Sequence, residues 1–219
     1  MLRKNIEEVI KVKEKTKKAL IITALSLVLV GLVLYIAAEL GAFKKGDKLQ
    51  GIRKELTAVE LTRLMGNGIN LGNTMEAYGH ASLGTNAAVS SYETLWGQPV
   101  TTQEMITAMK KSGFDTIRIP VAWTNTMNFE SGDYTIREDW FARIEEIVGY
   151  AMNENMYVIV NDHWDGSWWG MFGSATAETR QKAMDMYISM WTQIAERFKN
   201  YSDYLIFESA NEELGDRLN

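Results

Sequence analysis

Four short segments in residues 56–219 have the pattern of buried strands, and segments with helical periodicity separate them. The strand segments are MGNGINLGN (65–73), FDTIRIPVAW (114–123), MYVIVND (156–162) and YLIFE (204–208). Three of them are nearly continuous apolar runs, which is typical of strands buried on both faces. Pro120 must lie at the end of the second strand, since proline cannot donate to a sheet ladder.

Helix signals fill the intervals between these strands. Capping boxes are predicted at three places, which are Thr57 with Glu60, Thr101 with Glu104, and Thr135 with Glu138. Two apolar stripes follow the helical period, one at positions 140, 141, 144, 147, 148, 151 and 152, the other at 184, 187, 188, 191, 194, 195 and 198. The order βαβαβαβ predicts a parallel sheet covered by helices, as in doubly wound sheets and in (β/α)8 barrels.

Polar side chains lie at or just past the C-terminal end of each predicted strand. They are Asn70, Asn73, Arg118, Asn161, Asp162, His163, Asn211 and Glu212. Four consecutive strands ending in this way are typical of the catalytic face of a barrel. We therefore predict an α/β fold, a (β/α)8 TIM barrel of which only the first four strands are present. No Gly-rich loop opens a helix, so a nucleotide site is unsupported.

The N-terminal 55 residues follow a different pattern. Residues 19–38 carry no charge, and as a helix they would be long enough to cross the hydrocarbon layer of about 30 Å. We predict a basic cytoplasmic segment (1–18), a transmembrane anchor (19–38), a linker (39–55) and an extracellular barrel half (56–219). A cleaved signal peptide ending at Ala38, with a secreted product, stays open, and a buried core helix is the third interpretation.

Composition narrows the classes of function. The net charge is −5, and because residues 1–18 contribute +4, the rest of the chain carries −9. An acidic body argues against a nucleic-acid partner. The absence of cysteine excludes disulfides and thiolate metal sites. A metal site on Asp162, His163 and Glu212 would lack a second histidine and a known ligand spacing, so we expect neither metal nor cofactor.

Four motifs together resemble glycoside hydrolase family 5, the large cellulase family, in its cellulase and xyloglucanase branch. The motifs are GINLGNTMEAYG, GFDTIRIPVAW, YVIVNDHWDG and LIFESANEE, and their order and spacing agree with the family over residues 56–219. The resemblance implies that Glu212 is the general acid/base and that Asn211 contacts the sugar 2-hydroxyl. It also implies that Arg118 supports the nucleophile and that His163 lines the subsite of the cleaved sugar.

Two further residues are expected to bind substrate. Asn73 follows the first strand, and Trp168 belongs to a loop crowded with aromatic residues after the third. Aromatic faces can stack on the apolar faces of sugar rings, although such a cluster also packs its own loop. Trp123 either lines the cleft or caps the barrel.

Three positions depart from the family pattern. Trp164 stands where the family often has the second histidine of a pair. Thr126 stands where this branch usually has a histidine, and Glu213 replaces the proline after the Asn-Glu pair. If Glu213 faced the site, its charge would raise the pKa of the neighbouring Glu212.

The resemblance implies a retaining mechanism, which needs two carboxyl groups about 5–5.5 Å apart. In the family the nucleophile is a glutamate on strand seven, which this sequence does not contain, and Glu208 is expected to be structural. We therefore expect a fragment, inactive alone, of an endo-β-1,4-glucanase or related β-glucanase that hydrolyses plant polysaccharide. The alternative is a non-catalytic, membrane-tethered glycan-binding or vestigial protein.

Overall fold

The computed structural model describes residues 53, 55–166 and 168–212. The predicted basic segment and the predicted anchor at 19–38 lie outside the described residues, as does most of the predicted linker. Within the described ranges, no helix is both long and apolar enough to cross a membrane.

Strands and helices alternate through the described residues. The strands are β1 (Gly68–Asn70), β2 (Thr116–Ile119), β3 (Tyr157–Asn161) and β4 (Leu205–Glu208). The α-helices are α1 (Ala58–Leu64), α2 (His80–Leu83), α3 (Val89–Glu93), α4 (Gln103–Lys111), α5 (Glu138–Asn153) and α6 (Ala177–Phe198). Short 3-10 helices follow the strands at Trp123–Thr126, Phe129–Ser131 and Trp168–Gly173. The four predicted strands are confirmed, whereas α2 and α3 were not predicted.

The four strands form one parallel sheet in the order β1-β2-β3-β4. Each strand therefore pairs with the strand that follows it in the chain. A doubly wound sheet reverses its strand order at a switch point, but this sheet continues in one direction, as the strands of a barrel do. All four C-terminal strand ends consequently lie at one edge of the sheet.

The two faces of the sheet differ in character because side chains alternate along a strand. Ile117 and Val158 are fully buried on one face, in the same hydrophobic core as residues of α4, α5 and α6. On the opposite face, Asn161 is paired in register with Glu208, and Arg118 is paired with Ile159. The helix-covered face thus supplies the core, and the other face carries polar groups towards the C-terminal edge.

One of the two predicted helix stripes is correct. All seven predicted positions of α5 are buried. The prediction for α6 is wrong in most positions, because its buried residues are Ala183, Met186, Met190, Ile194 and Phe198. Met184 and Ile188, which the predicted stripe included, are 42% and 55% exposed. Apolar residues of this helix lie on its exposed side as well as on its buried side, so periodicity alone did not identify the buried face.

The helix caps give a similar mixture. The capping box of α1 is confirmed: the Glu60 N–H donates to Thr57 Oγ1 at 3.2 Å, and the Thr57 N–H donates to Glu60 Oε2 at 2.8 Å. The other two predictions are wrong. Thr102, rather than the buried Thr101, caps α4. Helix α5 begins at Glu138 without a side-chain cap.

Two methionines of α6 test which face of that helix is in the core. Met190→Ala removes a fully buried side chain and should lower the free energy of unfolding by about 2–4 kcal/mol. Met184→Ala is the matched control and should cost less than about 1 kcal/mol, because Met184 is 42% exposed. Urea denaturation of the two variants measures the difference. Equal losses of stability in the two variants would mean that Met190 does not face the core more than Met184 does.

Candidate active site

Arg118 is the centre of a polar network at the C-terminal edge of the sheet. Its Nε donates to Glu208 Oε2 at 2.7 Å, and its Nη2 donates to Glu208 Oε1 at 2.6 Å and to Asn211 Oδ1 at 2.8 Å. The two parallel bonds to one carboxylate are the strong, geometrically specific arrangement of arginine with carboxylate. Since β3 lies between β2 and β4, this side chain spans two strand spacings and fixes the residues that follow β4.

Asn161 and His163 occupy the space at the end of β3. The Asn161 Nδ2 donates to Glu208 Oε1 at 3.3 Å and lies 3.2 Å from His163 Nδ1. The backbone N–H of His163 donates to the Val121 carbonyl at 2.9 Å, which attaches this loop to the one after β2. The network is therefore continuous from Arg118 through Glu208 to His163.

The network sets the charges of its members. Hydrogen bonds from Arg118 lower the pKa of Glu208, so this carboxylate is ionised at neutral pH. Partial burial, with a smaller contribution from the positive Arg118, lowers the pKa of His163, so the imidazole is neutral there. A carboxylate held at both oxygens by an arginine is poorly suited to protonate a substrate. This geometry agrees with the structural role expected for Glu208.

Glu212 extends from the same network towards solvent. It directly follows Asn211, which Arg118 holds, and its side chain is exposed. Its backbone φ is 52°, a left-handed conformation that is uncommon for residues other than glycine. Its charge acts on both Arg118 and His163. Three predicted site residues, Arg118, Asn211 and His163, thus lie around Glu212. Of the two glutamates here, Glu208 is held by Arg118 and Glu212 is not.

The loop after β1 contains a buried carboxylate that the sequence reasoning missed. Glu76 is 4% exposed and accepts hydrogen bonds from the backbone N–H groups of Asn73, at 2.5 Å, and Thr74, at 2.9 Å. Burial raises the pKa of Glu76, while these bonds and the charge of Arg118 oppose the rise. Glu76 therefore fixes the loop that carries the exposed Asn73. The spacing Asn-x-x-Glu directly after a strand was the available signal.

The aromatic residues after β3 differ from expectation. Trp168 is 4% exposed and stacks on Trp169 with ring centroids 4.4 Å apart, so its ring lies within the loop cluster. Sugar contact by Trp168 stays a prediction that this placement does not favour. Trp164 is the exposed aromatic residue of the loop, at 51%. Trp123 is fully buried and donates its Nε1 to the Asn161 carbonyl at 2.9 Å, so it supports the strand end and does not line the cleft.

A buried acid also lies beneath the loop after β3. Asp165 is 1% exposed and accepts hydrogen bonds from the Thr124 N–H at 3.0 and 3.2 Å and from Thr124 Oγ1 at 2.5 Å. Burial raises the pKa of Asp165 to about 6, although these hydrogen bonds oppose the rise. Within the part of the chain that the structure describes, no group of three or more His, Asp or Glu side chains is arranged to hold a metal ion.

Comparison with known proteins gives consistent matches. The family model of cellulase (glycosyl hydrolase family 5) matches residues 78–218. Endoglucanase B of Clostridium cellulovorans is 42% identical over 162 residues, which are 74% of this chain and 33% of the relative. A xyloglucan-specific endo-beta-1,4-glucanase of Bacteroides ovatus is 36% identical over 76% of this chain and 32% of its own length.

Solved structures agree with the sequence relatives. The GH5-4 broad specificity endoglucanase of Ruminococcus champanellensis with bound cellotriose superimposes with a TM-score of 0.66 and 36% identity, over 75% of this chain and 46% of that one. The chain thus spans about a third of the length of these sequence relatives and just under half of this solved structure.

The buried Asp165 makes the stability of the protein dependent on pH. Because the pKa of Asp165 is raised in the folded protein, its protonated form is the one that favours folding. This stabilisation is complete below the ordinary pKa of 3.8 and is lost as the pH rises through about 6. The change corresponds to roughly 3 kcal/mol. Asp165→Asn should therefore flatten the decrease in the free energy of unfolding between pH 4 and pH 7, measured by urea denaturation.

The control for this prediction is Asp133→Asn, because Asp133 is exposed and hydrogen bonds from Thr135 lower its pKa. That variant should follow the wild-type curve above pH 4. Parallel curves for the wild type and Asp165→Asn would show that Asp165 is ionised in the folded protein throughout this range.

Proposed function

Because the chain belongs to glycoside hydrolase family 5, we propose that the protein containing it is a retaining endo-β-1,4-glucanase. This chain would contribute the general acid/base half of the active site. The observation that carries the proposal is the set of three hydrogen bonds that Arg118 donates to Glu208 and Asn211. These bonds fix the segment that ends at the exposed Glu212, whose charge acts on His163.

The chemistry assigns one task to each carboxylate. Glu212 donates a proton to the glycosidic oxygen as the bond breaks and then removes a proton from the attacking water. A second carboxylate about 5–5.5 Å away must attack the anomeric carbon. Glu208 does not suit that role, because both of its oxygens accept hydrogen bonds from Arg118. We propose that the nucleophile is a glutamate of the seventh strand of the barrel.

The neighbouring residues bind the sugar and adjust charge. The positive charge of Arg118 favours the ionised form of a nucleophile placed near it. Asn211 offers its amide to the sugar 2-hydroxyl, and His163, neutral because of its lowered pKa, lines the same subsite without adding charge. Asn73, held in place by Glu76, contributes a polar contact from the β1 loop.

The substrate that this arrangement supports best is a β-1,4-glucan main chain in plant polysaccharide. Relatives bear the names endoglucanase and xyloglucan-specific endo-beta-1,4-glucanase, which do not favour a non-catalytic glycan-binding protein. A polymer of this kind is found outside cells, so we propose that this part of the protein acts at the cell surface or after secretion. The charge-free run at 19–38 supports that proposal.

Two adjacent glutamates allow a sharp test of the acid/base assignment. Glu212→Gln should lower kcat/KM on cellohexaose by about 10²–10⁴-fold, because the leaving sugar then departs without a proton. The loss of kcat/KM should be much smaller on a 2,4-dinitrophenyl cellobioside, whose leaving group needs no proton, since kcat/KM reports the first displacement and not the later step in which Glu212 is the base. Glu213→Gln is the matched control and should change both kcat/KM values by less than about threefold.

The comparison of the two substrates distinguishes acid catalysis from general damage. Equal losses of kcat/KM on both substrates would indicate that Glu212 does not act as the acid. A larger loss in Glu213→Gln than in Glu212→Gln would indicate that Glu213 is the general acid, and it would overturn the proposal.

A further inference from the structure

Two tryptophans are exposed together at the rim of the sheet, on loops that follow different strands. Trp164 follows β3 and is 51% exposed, and Trp96 follows α3 and is 43% exposed. Their ring centroids are 6.4 Å apart, with an angle of 41° between the planes. Tyr78 contacts Trp164 edge to face at 5.5 Å. The three rings form one surface, which we call the rim aromatic surface.

The loop that carries Trp96 is fixed at both ends. Glu93 is 1% exposed, and its Oε1 accepts a hydrogen bond from the Thr101 N–H at 2.7 Å. Arg143 of α5 donates to both oxygens of Glu93, at 2.8 and 3.0 Å, and to the Thr101 carbonyl at 2.7 Å. One buried ion pair thus closes the base of the loop, so Trp96 is presented from a rigid support.

The support of Trp164 is equally constrained. On one side, the His163 N–H is bonded to the loop after β2, and on the other, Asp165 accepts hydrogen bonds from Thr124. Gly166 has a φ of +74°, and a Cβ there would lie 2.1 Å from Tyr78 Cζ. The ring of Tyr78 therefore packs directly on this glycine, and only glycine permits the arrangement.

Large aromatic rings that are half exposed and rigidly held lose little conformational entropy when a ligand covers them. The three rings of the rim aromatic surface are uncharged at neutral pH, which suits a neutral polyhydroxylated ligand. Trp164 directly follows His163 in the chain, so the loop that carries it begins at the proposed active site. The apolar faces of β-linked glucose units can stack on such rings.

We propose that Trp96 and Trp164 form an outer subsite that binds a glucosyl unit of the β-1,4-glucan chain beyond the units held at Glu212 and His163. Tyr78 is a positioning residue, which orients Trp164 through its edge contact. The inference rests on the proposed function and adds to it a preference for longer chains. A tryptophan at position 164 thus gives this protein a stacking surface where the family often has a histidine.

Isothermal titration of the whole protein, with Glu212→Gln introduced to prevent hydrolysis, tests the proposal with cellotriose and cellohexaose. We expect cellohexaose to bind about tenfold more tightly than cellotriose, the scale of one covered ring face. Trp96→Ala and Trp164→Ala should each remove most of this difference. Trp164→Tyr should retain part of it, because a stacking face remains.

Val59→Ala is the matched control, since Val59 is 60% exposed on α1, which precedes β1, and should leave both affinities unchanged. Alanine variants that keep the full preference for cellohexaose would overturn the inference while leaving the proposed function intact. Failure of the parent protein to bind either oligosaccharide would instead count against the proposed function. A change of sedimentation coefficient in the tryptophan variants, without a change in glucan affinity, would identify a protein-binding surface and also overturn the inference.

Discussion

The site depends on the reach of Arg118 across the sheet. Parallel strands bring their C-terminal ends to one edge, which places Arg118 of β2 within reach of Glu208 at the end of β4 and of Asn211 just after it. The guanidinium neutralises Glu208 through two hydrogen bonds and holds Asn211 with a third contact. Glu212 is then left as a free carboxylate beside a fixed backbone. Loss of this arginine would affect the charge and the geometry of the site together.

The network is rigid because the opposite face of the sheet is fully packed. Ile117 and Val158 anchor their strands in the core, and Trp123 connects that core to the Asn161 carbonyl. Buried acids extend this rigidity to the loops: Glu76 binds the β1 loop, and Asp165 binds the β3 loop. The apolar face therefore determines where the polar groups lie, and the polar groups hold the segments that would meet a substrate.

The sequence predicted what depends on strong local patterns. Continuous apolar runs located three of the four strands, a glycine-spaced segment located β1, and the α5 stripe identified its buried face. The α6 face was missed because both Met184 and Met190 are apolar, and only the packing distinguishes them. For the same reason, the sequence did not show that Trp164, and not Trp168, is the exposed tryptophan of its loop. Glu76 was missed because its partners are backbone N–H groups, so only the spacing Asn-x-x-Glu after the strand could have indicated it.

Proton NMR of the first product formed by the whole protein from a cello-oligosaccharide is the sharpest test of the acid/base role of Glu212. If Glu212 is the acid/base partner of a nucleophilic carboxylate on a later strand, two successive displacements return the original configuration. We therefore expect the β-anomer to appear first and the α-anomer to grow only as mutarotation proceeds. Initial formation of the α-anomer would mean that water attacks directly, and it would contradict the assignment of this network to a retaining site.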